Sequence, residues 1–85
     1  MTKRYLDQLA DAILSLQTQR DVVSFMEGIL TPQELIEISR RLEIVRLLKK
    51  GIPQRKIADD LGVGIATVTR GSREIKNGKF KQVTF

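Results

Sequence analysis

The stretch spanning residues 54–76 constrains this chain more than any other part of it. Apolar residues recur there at helical spacing on both sides of a short segment that contains Gly62. Glycine weakens a helix and reaches the left-handed backbone conformation at little cost. The stretch therefore predicts two short helices, about 53–61 and 65–76, joined by a tight turn with Gly62 at a positive φ.

Four positions in this stretch fit the helix–turn–helix pattern of DNA-binding proteins. The pattern needs a small residue where the helices cross, a glycine in the turn, and apolar residues at the contacts. These positions hold Ala58, Gly62, Val63 and Val68. Gly71 departs from the pattern, because an aliphatic residue is usual there. A plain helical hairpin with a basic surface is the alternative.

Charge is unevenly placed along the chain. Residues 1–45 carry five Lys or Arg against seven acids, whereas residues 46–85 carry ten against three. A basic second half suggests a polyanionic partner, although ordinary solvated side chains give the same count.

Composition excludes several classes of function. The 85 residues are enough for one domain, and so short a chain buries only a small core, for which oligomerisation is a common remedy. The chain has no Cys and no His, so we expect no disulfide, zinc site or His-based catalysis and therefore no enzyme and no catalytic or metal-binding residue.

Neither a membrane span nor a signal peptide is expected. No apolar run approaches the roughly 18–20 residues that a span needs. Acids stand among the apolar residues at the start of the chain, unlike a signal peptide. We expect a cytoplasmic protein without a membrane partner.

Residues 1–51 predict core helices. Residues 4–18 show one apolar stripe, and Asp21 is a plausible N-cap for a second helix that should be buried on most sides. Thr31-Pro32-Gln33-Glu34 forms a capping box that begins a long helix ending at Gly51.

The remaining boundaries follow from Pro53 and Gly78. Pro53 can occupy the first position of the following helix, and Gly78 marks the end of the last one. We expect an all-α chain of five to six short helices, with the helix–turn–helix in residues 53–76. The tail of residues 77–85 could be a frayed end, a strand-like arm or the edge of a longer protein.

Position within the motif assigns DNA-binding roles. The second helix would enter the major groove with its N-terminal residues at the base edges. The small residues there predict sparse readout through methyl groups, hydroxyls and water; they are Ile65, Ala66, Thr67 and Thr69. The amide of Gly64 suits a phosphate, and the basic phosphate candidates are Arg55, Lys56, Arg73 and Lys76.

The chain also resembles the tryptophan repressor family over residues 28–76. The most specific part is the run from Leu61 to Ser72, LGVGIATVTRGS, supported by Leu30-Thr31-Pro32 and by the GIPQR segment that begins at Gly51. The resemblance implies an intertwined homodimer that binds a double-stranded operator. The resemblance also implies base contacts that are bridged by water.

The resemblance further implies a pocket for a co-repressor, L-tryptophan or a related amino acid. The family's ring-stacking arginines match Arg41 and Arg70, and Arg70 also matches the arginine that pairs with the ligand carboxylate. Gly71 matches a small residue packed against the ligand, and Thr31 matches an element that holds the ligand's polar end.

Three residues depart from the family. Glu74 stands where the family has a serine near the ligand's ammonium group; a carboxylate there could pair with an ammonium or fill the pocket. Gly28 replaces a bulkier apolar residue, and Ala58 replaces a basic residue that contacts DNA. The chain also stops where the family has a further helix.

Three hypotheses follow from these patterns. The first is a dimeric repressor gated by an aromatic amino acid. The second is a ligand-independent DNA-binding regulator of the same fold. The third is a helical protein-interaction module that does not bind DNA, against which the charge asymmetry and the motif residues argue.

Overall fold

The computed structural model describes residues 2–85, which form five α-helices and no strand. They are α1 (Lys3–Leu14), α2 (Gln19–Ile29), α3 (Pro32–Lys49), α4 (Gln54–Leu61) and α5 (Ile65–Lys76). The predicted all-α class is confirmed. No helix in this part of the chain is long and apolar enough to cross a membrane.

The capping box at the start of α3 forms as predicted. The Thr31 amide donates to Glu34 Oε1 over 2.8 Å, and the Glu34 amide donates to Thr31 Oγ1 over 3.1 Å. These two bonds satisfy donors that the first turn of a helix otherwise leaves unpaired.

The boundary between α1 and α2 differs from the prediction. α1 ends at Leu14 rather than near residue 18, and the Ser15 hydroxyl donates to the Ala12 carbonyl over 2.6 Å. The N-cap of α2 is Thr18, not Asp21, because Thr18 Oγ1 accepts the Asp21 amide at 3.0 Å. Both hydroxyl residues compete with helical hydrogen bonding and so favour helix ends.

The described chain divides into two compact units, one through Leu35 and one from Ile36 to Phe85. The first unit contains α1 and α2, neither of which has a buried residue. The expectation that α2 is buried on most sides is therefore wrong for the single chain. Its large apolar side chains include the exposed Val23 and Ile29.

The core of the second unit joins α3 to the two motif helices. Ile57 and Val68 are 0% exposed and Ile44 is 1% exposed. The cluster is completed by Ala58, with five half-buried residues packed around it: Leu47, Leu48, Ile52, Leu61 and Val63. Val63, which follows Gly62 in the turn, is half-buried.

Turn geometry positions α4 and α5. Gly62 ends α4 with φ +65°, as predicted, and Gly64 is the N-cap of α5. Pro53 is the N-cap of α4 rather than its first residue, with an extended backbone. The motif helices lie within one residue of the predicted bounds.

The tail folds into successive turns instead of forming a strand. Gly78, within this tail, has a φ of +81°. Phe80 is half-buried, and its carbonyl accepts a hydrogen bond from Lys49 Nζ over 2.6 Å. The tail is therefore attached to the end of α3.

Candidate DNA interface and ligand pocket

Helix α5 carries two sets of predicted site residues on two different faces. Ile65, Thr69 and Arg73 follow one another at intervals of four, so they share one face. Thr67, Arg70, Gly71 and Glu74 follow at intervals of three and four and form a second face.

The first of these faces is exposed. Ile65 is 49% exposed, and Ala66, Thr69 and Arg73 are also exposed. A large aliphatic side chain at the start of a helix, with small side chains beside it, leaves room for close approach to base edges in the major groove. This face forms the base-reading part of the candidate DNA interface.

The start of α5 has no side-chain cap. Gly64 offers no side chain, and no side-chain hydrogen bond caps this helix. The Thr67 amide donates to the Gly64 carbonyl over 3.1 Å. Helix N-termini of this kind suit a phosphate, because amide dipoles point outward there.

Thr69 contacts the other helix of the motif. Its hydroxyl oxygen lies 2.9 Å from Gln54 Oε1 and 3.0 Å from the Ile65 carbonyl oxygen. The hydroxyl has a single proton and donates to one of these acceptors at a time. Gln54 therefore orients a side chain on the base-reading face, a role that sequence reasoning missed.

The basic residues proposed for phosphate contacts are all exposed: Arg55, Lys56, Arg73 and Lys76. Lys56 pairs with Asp60 one turn later, at 3.0 Å. An exposed pair of this kind contributes little to stability and can exchange for a phosphate.

A cavity of about 390 Å³ opens on the other face of α5. Ligand pockets generally measure about 300–1,000 Å³. Its lining includes four of the five predicted ligand residues, which are Arg41, Arg70, Gly71 and Glu74. The remaining lining is Thr67 and a set of apolar residues: Ile38, Leu42, Ile44, Val45 and Phe80.

The chemistry of this cavity is that of an apolar chamber with a few charged groups. The guanidinium groups of Arg41 and Arg70 can bind a carboxylate through two parallel hydrogen bonds or stack on an aromatic ring. The half-buried carboxylate of Glu74 can accept hydrogen bonds from an ammonium group. Asn77 Nδ2 lies 3.5 Å from Glu74 Oε1.

Gly71 lies where α5 crosses α3. A Cβ atom at this position would be 3.2 Å from Ile44 Cγ2 and 3.4 Å from Leu48 Cδ1. The first distance is shorter than ordinary van der Waals contact. Close helix packing is therefore a reason for the glycine that holds with or without a ligand.

Three further residues have local positions that the structure describes. Thr31 lies in the first unit, where its hydroxyl caps α3. Thr67, expected beside the base-reading residues, lies on the cavity face. Phe80 lines the cavity although the tail had no assigned role; the available signal was an aromatic residue between two lysines.

The motif geometry, the exposed basic residues and the cap-free start of α5 define a helix–turn–helix DNA-binding protein. Residues 4–83 match the family model described as Trp repressor protein. The chain belongs to this family. It is accordingly a DNA-binding transcription regulator and not an enzyme.

Relatives agree with this membership. A "Trp operon repressor homolog" of Vibrio vulnificus is 49% identical over 70 residues, covering 81% of this chain and 69% of the relative. A protein of the same name from Photobacterium profundum is 41% identical over 76 residues, covering 88% and 70%. The "Uncharacterized protein YerC" of Bacillus subtilis is 34% identical over 73 residues, covering 86% and 70%. No solved structure matches the chain.

Proposed function

We propose that this protein is a homodimeric repressor whose affinity for its operator is controlled by a small aromatic amino acid such as L-tryptophan. The observation that carries the proposal is the division of α5 into two faces. One face presents Ile65 and Thr69 to solvent, and the other presents Arg70 and Gly71 to the cavity. A molecule in the cavity therefore contacts the same helix that would lie in the major groove.

The cavity suits an amino acid with an apolar side chain. The ligand's carboxylate would bind one guanidinium group, and its ring would stack on the other, since Arg41 and Arg70 offer both kinds of contact. Glu74 would accept from the ammonium group. The apolar lining would enclose the ring.

A second copy of the chain is needed for operator binding of this type. Helix–turn–helix dimers place two reading helices about one turn of DNA apart. Large apolar side chains remain exposed on the described helices, among them Leu14 at 81% and Ile29 at 55%. A partner chain that covered them would supply the burial that a small domain lacks.

Gating would work by differential affinity. A ligand shifts an equilibrium between two arrangements only as far as it binds one of them better. In the proposed dimer the ligand would favour one spacing of the two α5 helices, and the operator would favour the same spacing.

Calorimetry with L-tryptophan tests the ligand, and gel retardation on duplexes selected from a random pool tests the gating. We expect heat of binding for the unmodified protein and a large loss for Arg41→Ala. Arg40→Ala is the matched control, because Arg40 is an exposed neighbour outside the cavity lining. The absence of heat at millimolar ligand, together with unchanged operator affinity, would contradict gating.

A ligand-independent regulator of the same fold is the second candidate. It is favoured by Glu74, because a carboxylate that shares a cavity with two arginines can offset the charge of one of them without any ligand. This candidate predicts the same operator affinity with and without amino acids. Glu74→Ser would then create tryptophan binding that the unmodified protein lacks.

A further inference from the structure

Among the described residues that line the cavity, Phe80 alone contributes an aromatic ring. It comes from the tail, whereas the charged lining residues come from α3 and α5. The ring is half-buried and stands in an otherwise polar sequence, Lys79-Phe80-Lys81-Gln82. Burial of an aromatic side chain from such a segment requires something to hold the segment in place.

Lys49, in the last turn of α3, provides two contacts that hold the tail. Its ammonium group donates to the Phe80 carbonyl over 2.6 Å, and it lies 5.4 Å from the centre of the Phe85 ring. The second distance is within the reach of a cation–π interaction. Lys49 thereby contacts the tail at two points, Phe80 and Phe85.

We infer that Phe80 forms an aromatic wall that makes the cavity selective for aromatic over aliphatic ligands, and that Lys49 is the positioning residue for this wall. This inference rests on the proposed function. An aromatic wall favours an aromatic ligand, since rings pack edge-to-face or offset with an interaction beyond simple burial.

Calorimetry on four substitutions tests the inference, with L-tryptophan and L-leucine as probes. Phe80→Leu should weaken L-tryptophan binding roughly two- to tenfold, the range that an aromatic pair contributes beyond burial, and Phe80→Ala should weaken it at least as much. Binding of L-leucine should change less in Phe80→Leu, because the apolar bulk remains. Lys49→Met should act in the same direction as Phe80→Leu, while Lys50→Met removes the same charge one residue later and should leave binding unchanged.

A second measurement reports on the tail without any ligand. The chain contains no Trp, so Phe80→Trp introduces a single Trp fluorophore at the wall. We expect a blue-shifted emission that moves to the red when Lys49→Met is added. Far-ultraviolet circular dichroism should show the helices unchanged in all variants, because Phe80 lies outside them and Lys49 is an exposed residue at the end of α3.

The possible outcomes separate this inference from the function on which it rests. If the unmodified protein binds neither amino acid, the proposed ligand is wrong, and the inferred role of Phe80 is wrong as well. If the unmodified protein binds L-tryptophan and Phe80→Ala binds it equally well, only the wall is wrong. Tighter binding by Phe80→Ala would also overturn it, since Phe80 would then obstruct the cavity.

Discussion

Gly71 lies against Ile44 so closely that a Cβ atom at position 71 would come within 3.2 Å of Ile44 Cγ2. Ile44 is 1% exposed and belongs to the core beneath α5, so it has little freedom to move away. The same glycine lines the cavity. The crossing of α3 and α5 thus determines both the packing of the reading helix and the shape of the pocket behind it.

Alanine substitution at two helical glycines should separate packing from helix propensity. Alanine is favoured over glycine inside a helix by about 1 kcal/mol. At Gly28 a Cβ atom meets nothing within 4 Å, so Gly28→Ala should increase the free energy of unfolding by up to about 1 kcal/mol. At Gly71 the contact with Ile44 should cancel this gain. Urea unfolding measures both, and an equal gain at the two positions would contradict the packing argument.

Truncation of a core residue should destabilise the motif far more than truncation of a base-reading residue. Ile57 is 0% exposed, and Ile57→Ala should cost about 2–5 kcal/mol in the free energy of unfolding. Ile65 is 49% exposed, so Ile65→Ala should change that free energy by less than about 0.5 kcal/mol. Denaturant unfolding, monitored by circular dichroism, measures the free energy of unfolding of both variants. Ile65→Ala should instead reduce operator affinity, which gel retardation detects.

The salt dependence of DNA binding should report on Arg55. Each phosphate contact adds about 0.9 to the slope of log affinity against log salt concentration. Arg55→Ala should therefore make the slope less steep by about 0.9 for each protomer that contacts DNA. Arg4→Ala removes an equal charge from α1, outside the motif, and is the control. Equal slopes for Arg55→Ala and the unmodified protein would exclude the phosphate contact.

The capping box of α3 should make stability depend on pH. The hydrogen bond from the Thr31 amide lowers the pKa of Glu34 below its usual value. The hydrogen bond with the Thr31 hydroxyl lowers this pKa to a smaller extent. The folded pKa thus lies below the unfolded value of about 4.3. The resulting stabilisation is complete above that unfolded value and is lost as pH falls through the folded pKa.

Glu34→Gln is the matched variant for this prediction. A glutamine at this position can still accept the Thr31 amide, but it does not titrate in the acid range. The difference in unfolding free energy between the two proteins should therefore be constant near neutral pH and change below about pH 4.3. Hydrogen bonding from Arg46 lowers the pKa of Glu43 in both proteins and cancels in the comparison.

The positions of the helices and the turn were predictable because local residues determine them. The capping box at Thr31 and the glycine at position 62 act within one turn of the chain. The N-cap of α2 was predicted three residues too late because Thr18 and Asp21 are both good capping residues. Only the observed hydrogen bond distinguishes them.

The sequence by itself predicted an all-α chain of five to six helices, the reading motif and, through family resemblance, the arginines that the structure places around one cavity. Tertiary structure decided which face of α5 each residue occupies, how closely Gly71 meets Ile44, and that Phe80 completes the cavity lining. Lys49 and Phe80 are 31 positions apart. Helical hydrogen bonds and caps involve neighbours in the chain, whereas a cavity forms from side chains that only packing brings together.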